Sequence, residues 1–205
     1  MAASTPKALA TRERILQAAD TLFYLHGYNA TGLDRIISEA GITKGNFYYH
    51  FKSKEALAIA ALERHFEQIG SDIASNAMAN HTSPLNRLFA ILNLMASRQL
   101  EQYKSGHICG CYFGNFTLEM SIESKIVRSK VHRIFEQFQE VFSGLLEEAA
   151  KAGEISTSIQ PGETAKVILS LMEGAILLDK AGQKPQAVAN AIEFIKHYLK
   201  PPLTE

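Results

Sequence analysis

Two stretches of the 205-residue chain carry side chains whose types and spacing can do chemistry. The first is Thr43-Lys44-Gly45-Asn46-Phe47-Tyr48-Tyr49-His50, with Phe51 and Lys54 just beyond it. Ammonium and carboxamide groups on the leading turn of a helix reach base edges or adjacent phosphates, which makes Lys44 and Asn46 the candidate readers of a duplex. Gly45 between them lets the backbone approach closely. Free N–H groups at Thr43 and Lys44 suit a phosphate at the same helix start. Tyr48, Tyr49, His50 and Lys54 add phenol, imidazole and ammonium donors of the kind that fix register on a sugar-phosphate backbone. Phe47 and Phe51 are apolar and four apart, so they share the buried face instead.

The second stretch is His107-Ile108-Cys109-Gly110-Cys111-Tyr112-Phe113-Gly114-Asn115-Phe116-Thr117-Leu118-Glu119, where thiols, glycines, an amide and aromatics gather. Three chemistries fit it. Cys109 and Cys111 can be small apolar packing residues, the common fate of a free cysteine. They can be reactive thiols, with Lys104 or His107 lowering the pKa of Cys111. With His107 they can bind a soft metal, although three ligands within five positions and no distant fourth make a poor zinc pattern. No metal or cofactor is expected on this evidence. Cysteines one residue apart cannot staple a fold, and they read as thiols of a reducing compartment.

The elements that must position these groups are helices. Apolar residues recur at helical spacing through almost the whole chain and no segment alternates with period two, so the expected fold is all-α, with about nine helices. Ile15, Leu16, Ala18, Ala19, Leu22, Phe23 and Leu25 form one stripe that ends near His26, with Gly27 as the stop. Thr31 is read as the N-cap of a short helix carrying Leu33, Ile36, Ile37 and Ala40, ended by Gly41. Thr43 caps the next, Lys44 to His50. Two short helices joined by a glycine-containing turn form a helix-turn-helix. Ser53 starts a long helix reaching about Ala79. Further helices are expected from Leu85 to Leu100, Cys111 to Ser121, Ser124 to Ala152, Gly162 to Ala181 and Gln186 to Leu199, with Pro161 and Pro185 standing at or before the last two starts.

Bulk charge does not point to nucleic acid, since 21 basic residues meet 21 acidic ones. The distribution is uneven: residues 1–60 hold Lys7, Arg12, Arg14, Arg35, Lys44, Lys52 and Lys54 against Glu13, Asp20, Asp34, Glu39 and Glu55. The front is net basic and the remainder net acidic. No run of apolar residues has the length of a membrane span or a signal peptide, and a cytoplasmic protein with no membrane partner is expected.

The ordered set from Arg14-Ile15-Leu16-Gln17-Ala18-Ala19 through Leu22-Phe23, Gly27-Tyr28, Thr31, Ile36-Ile37 and Ala40 to Leu57 resembles the TetR repressor family over roughly residues 10 to 60. That resemblance implies a helix-turn-helix DNA-binding domain at 1–52 and an effector-binding and dimerisation domain at 53–205. It implies phosphate contacts by Tyr48, His50 and Lys54. Thr31 and Arg35 join them as candidates at the preceding helix, while Gly32 stands where the family often carries a hydroxyl. It also implies a homodimer, and the last two helices support one: Val167, Ile168, Leu171, Met172, Ile176 and Leu177, then Val188, Ile192, Ile195 and Leu199, are wide apolar coverage for a bundle shared between subunits. A cysteine-containing, electrophile-responsive branch of the family resembles the Gly110-Cys111 start, which would make Cys111 the sensing thiol. Met95, Phe116, Met120, Phe138 and Met172 are the candidate apolar wall of an effector site, with Arg98 or Asn115 as its orienting polar group.

The function expected is transcriptional regulation, most simply repression of an operator in double-stranded DNA, relieved by a small molecule or a thiol-reactive effector. A DNA-binding dimer with no small-molecule effector is the alternative. An enzyme built on His107 to Cys111 is not expected, because no acid-base constellation or phosphate loop accompanies it.

Overall fold

The computed structural model describes residues 5–200. Among them there are nine α-helices and no strand: α1 Pro6–His26, α2 Leu33–Glu39, α3 Lys44–His50, α4 Lys54–Ile73, α5 Pro84–Lys104, α6 Tyr112–Met120, α7 Lys125–Lys151, α8 Pro161–Gly182 and α9 Ala187–Leu199. The expected all-α architecture and its helix order are found. A π-wound turn, Ala74–Met78, follows α4 and accounts for the apolar pattern reaching Ala79. None of these helices is long and apolar enough to cross a membrane.

Packing divides the chain into two compact units. The first comprises the chain up to Gln68 together with Tyr112–His132, and the second Ile69–Cys111 together with the chain from Arg133 onward. Helix α6 and the opening turns of α7 therefore pack with the N-terminal helices although the stretch Ile69–Cys111 separates them in the chain.

In the first unit the core is built from one face of each helix. Ile15, Ala19 and Phe23 of α1, Ile36 of α2, Phe47 of α3, Leu57, Ala61 and Leu62 of α4, and Phe113 and Phe116 of α6 are all essentially buried. Thr5 caps α1 by accepting from Ala8 N, with Pro6 at the first helical position where its missing N–H removes nothing. Gly27 ends α1 at φ 84°, and Gly41 turns the chain at φ 62° between α2 and α3, conformations that a side chain would strain.

One capping expectation is corrected. Gly32, not Thr31, is the N-cap of α2, and no side chain bonds there. Thr31 is completely buried, and its hydroxyl donates back to the carbonyls of Gly27 at 2.7 Å and Leu22 at 3.2 Å. A buried hydroxyl needs an internal partner, and the carbonyls of Gly27 and Leu22 at the end of α1 supply it.

The second unit has its own core, centred on Leu88, Leu92, Phe142, Leu146, Ile168, Met172, Ile176, Ile192 and Ile195. Two buried or part-buried carboxylates organise its turns. Glu154 accepts from Ser83 Oγ and Leu85 N at the start of α5, and Asp179 accepts from the backbone of Gln186, Ala187 and Val188 at the start of α9. Both neutralise donors that a helix start leaves unpaired.

Candidate nucleic-acid interface

Helix α3 is short and two-sided. Thr43 caps it as expected, its hydroxyl accepting from Asn46 N at 3.3 Å. Phe47 is fully buried and Phe51 nearly so, their rings 6.0 Å apart, and they anchor the helix to the unit's core. The opposite face is open: Thr43, Lys44, Gly45, Asn46, Tyr48 and Tyr49 are all exposed, Tyr49 at 74%. Exposure of an aromatic that large is unusual for a residue with only a structural role. His50 lies half-buried at the helix end with its ring edge-on to Tyr49, 4.9 Å between centroids. Burial, and then the charge of Arg12, holds its pKa below the usual 6.5.

Arg35 on α2 is exposed and its Nη2 lies 2.9 Å from His26 Nε2. Lys54 points differently from the expectation of a solvent-facing donor. Its Nζ donates to the Tyr28 carbonyl at 2.6 Å and lies 4.0 Å from the centre of the Tyr28 ring. Burial lowers its pKa, and the nearby charge of Glu119 works against that lowering. Thr31, Arg35, Thr43 and Lys54 thus have side-chain polar atoms engaged within the protein, while Lys44, Asn46, Tyr48 and Tyr49 are exposed.

The residue that the sequence reading missed is Glu119. Its carboxylate accepts from the backbone N–H of Asn29 at 2.7 Å and of Tyr28 at 3.2 Å, binding α6 to the loop that leads into α2. Gly27 lies so close to this carboxylate that a Cβ there would collide with it. A second set of contacts ties the same helices. Tyr112 at the start of α6 donates to Asp20 Oδ1 at 2.9 Å, and Asp20 and Glu13 of α1 both pair with Arg64 of α4. Burial raises the Asp20 carboxyl even though Tyr112 and Arg64 favour its charge, and burial with the Asp20 charge pushes the Tyr112 phenol well up. Ser124 to Glu55 and Lys130 to Glu63 complete the attachment of α7 to α4. No local pattern marks these pairs, because each joins segments more than 40 residues apart.

The candidate effector residues fall in both units. Asn115, Phe116 and Met120 belong to the first, where Phe116 packs against Phe23, Tyr28 and Tyr112 in a buried aromatic cluster. Met95, Arg98, Cys111, Phe138 and Met172 belong to the second. Arg98 pairs with Asp72 at 2.6 Å, so its charge is matched. Cys111 is partly buried and donates to the Glu173 carboxylate, whereas burial pushes the Cys109 thiol up.

Residues 15–61 match the model of bacterial regulatory proteins of the tetR family, and residues 84–195 match the tetracyclin repressor-like C-terminal domain. The HTH-type transcriptional regulator LmrA of Bacillus subtilis is 33% identical over 192 residues, 93% of this chain and 97% of that protein. The HTH-type transcriptional repressor DhaR of Mycobacterium sp. strain GP1 is 28% identical over 93% of this chain and 92% of its own length. The crystal structure of Escherichia coli NemR in its reduced form superposes with a TM-score of 0.84 at 26% identity, covering 95% of this chain and 100% of that one. With both halves matched and the exposed α3 face in place, the chain belongs to the TetR family of helix-turn-helix transcriptional regulators.

Proposed function

We propose that the protein is a homodimeric repressor that holds operator DNA through α3 and releases it when a small molecule binds the second unit. The observation that carries this reading is the two-sided α3, with Phe47 buried and Lys44, Gly45, Asn46, Tyr48 and Tyr49 exposed. Residues 1–52 take the DNA-binding role, and residues 53–205 the effector and dimer roles. The similar proteins DhaR and NemR are transcriptional repressors by name, which supports repression.

The dimer reading is supported by the outer face of the last two helices. Val167, Leu178, Phe194 and Tyr198 are each more than half exposed, and Gly174 between them leaves room for close helix approach. An apolar surface of this kind is costly to leave in water and suits a symmetric four-helix contact. Two copies then present two α3 helices to successive major grooves.

Of the two forms of release signal, a reversibly bound molecule is favoured over a thiol-reactive one. The Cys111 thiol donates a hydrogen bond to a carboxylate, which the thiol can make and the reactive thiolate cannot, and burial disfavours the Cys109 thiolate. Gel-shift titration on the DNA upstream of the protein's own gene tests the reading. A sequence-specific, salt-sensitive shift is expected, with log K falling as log salt rises; a shift that ignores sequence overturns it.

A further inference from the structure

The turn between α6 and α7 is two-sided. Met120, Ser124 and Val127 form its inner face, all buried. That face is pinned: Ser124 Oγ donates to Glu55 Oε1 of α4 at 2.5 Å and accepts from Val127 N at 3.1 Å. The backbone continues the helical turn past Met120, with Ser121 N on the Thr117 carbonyl and Ser124 N on the Met120 carbonyl. Leu118 and Ile122, four apart, therefore stand on the same outer side. The first turn of α7 adds Ile126, and Arg128 Nη1 reaches back to the Ser121 carbonyl at 2.7 Å. Leu118, Ile122 and Ile126 are 70%, 89% and 62% exposed. With the inner face locked, none of the three can turn inward, and an exposed stretch of large aliphatic side chains is costly to leave in water.

Two features say what covers it. The stretch carries its own opposite charges, since Glu123 lies on the turn and Lys125 and Arg128 on the first turn of α7, all exposed. A two-fold axis through the patch runs two copies antiparallel, setting Ile122 on its counterpart and Glu123 of one copy against Lys125 or Arg128 of the other. A second copy of this chain is thus complementary in both charge and apolarity. The patch is also too small to hold two free chains together. Three aliphatic side chains from each copy bury far less than the ~1,200 Å² of a stable interface. Such a contact forms between chains that are already tethered, where effective concentration takes the place of area. The outer faces of α8 and α9 supply the tether in the dimer reading, on which this inference rests.

We propose that Leu118, Ile122 and Ile126 make a second two-fold contact, between the first units of the two subunits of one dimer. The same compact unit carries α3. The contact therefore fixes the separation of the two α3 helices, and with it the half-site spacing that the protein accepts.

The test uses the purified full-length protein with a benzophenone side chain in place of Ile126, irradiated free and operator-bound at concentrations where sedimentation shows a dimer. An adduct of two chains is expected, attached within residues 118–128 of the second copy, in a yield that holds on about tenfold dilution inside the dimeric range. Ile122→Asp should cut that yield by about fivefold or more without changing sedimentation. Glu123→Lys should cut it by about threefold, and adding Lys125→Glu should restore it. Melting temperatures establish that each variant is folded, as expected for positions this exposed. On operator variants with base pairs inserted between the half-sites, the loss of affinity should be smaller for Ile122→Asp than for the unaltered protein; equal losses overturn the spacing role. A dimer that gives no such adduct, a yield that climbs with concentration, or attachment to DNA or elsewhere on the chain overturns the contact and leaves the dimer standing. A chain that sediments as a monomer overturns both the dimer reading and the contact that needs it.

Discussion

Glu119 Oε2 accepts from the backbone N–H of Asn29 at 2.7 Å, joining residues 90 apart in the chain. With Tyr28 N on the other oxygen, one carboxylate of α6 holds the loop from which α2, and then α3, departs. Glu119→Ala should cost about 1–3 kcal/mol of stability, the scale of hydrogen bonds to a charged acceptor, and should lower operator affinity because α3 loses its fixed approach. Gly27→Ala should also destabilise, through its positive φ and its collision with Glu119. Thermal melts of the two single variants and the double variant check the relationship: the double should cost less than the sum, since removing the carboxylate removes the collision.

Thr31 and Lys44 should separate internal from external roles. Thr31→Val leaves two carbonyls without their shared donor and should lower stability by about 1 kcal/mol, with no change in the salt dependence of DNA binding. Lys44→Ala should do the reverse. Its melting temperature should hold, while the slope of log K against log salt falls by about one if it contacts a phosphate. Filter binding across a salt series measures both slopes.

His50 should make operator binding depend on pH. Its pKa lies below the usual 6.5, so the ring is neutral at pH 7.5 and gains its proton only as pH falls below that value. Protonation adds positive charge at the end of α3, so affinity should rise as pH drops below 6.5. His50→Gln should flatten the rise. Linkage works in the opposite sense for folding: a depressed histidine pKa means the unfolded chain binds the proton more readily, so the contribution to stability falls as pH drops through the same window.

Phe194 and Leu178, 62% and 66% exposed, should govern assembly. Phe194→Asp with Leu178→Glu places carboxylates on the proposed interface of each subunit, and sedimentation should show monomer at concentrations where the unaltered protein is dimeric. Operator affinity should fall by more than tenfold, because one α3 alone engages only half a site. A doubly substituted protein that still sediments as a dimer would place the interface elsewhere.

Local pattern was sufficient for the helices, for the Thr43 cap and for the burial of Phe47 and Phe51, because a 3.6-residue period and a cap are properties of neighbours in the chain. The exposed face of α3 followed from the same period once its buried face was known. What only the tertiary structure decided were the partners of groups whose local options were equal. Thr31 had both the end of α1 and the start of α2 within reach, and packing turned its hydroxyl inward. Lys54 found the carbonyl and ring of Tyr28, 26 residues back, instead of solvent. Glu119 looked like one more polar position on an apolar helix. Its role comes from contacts made across distances along the chain that no period records, since burial and hydrogen bonding are settled by which elements meet.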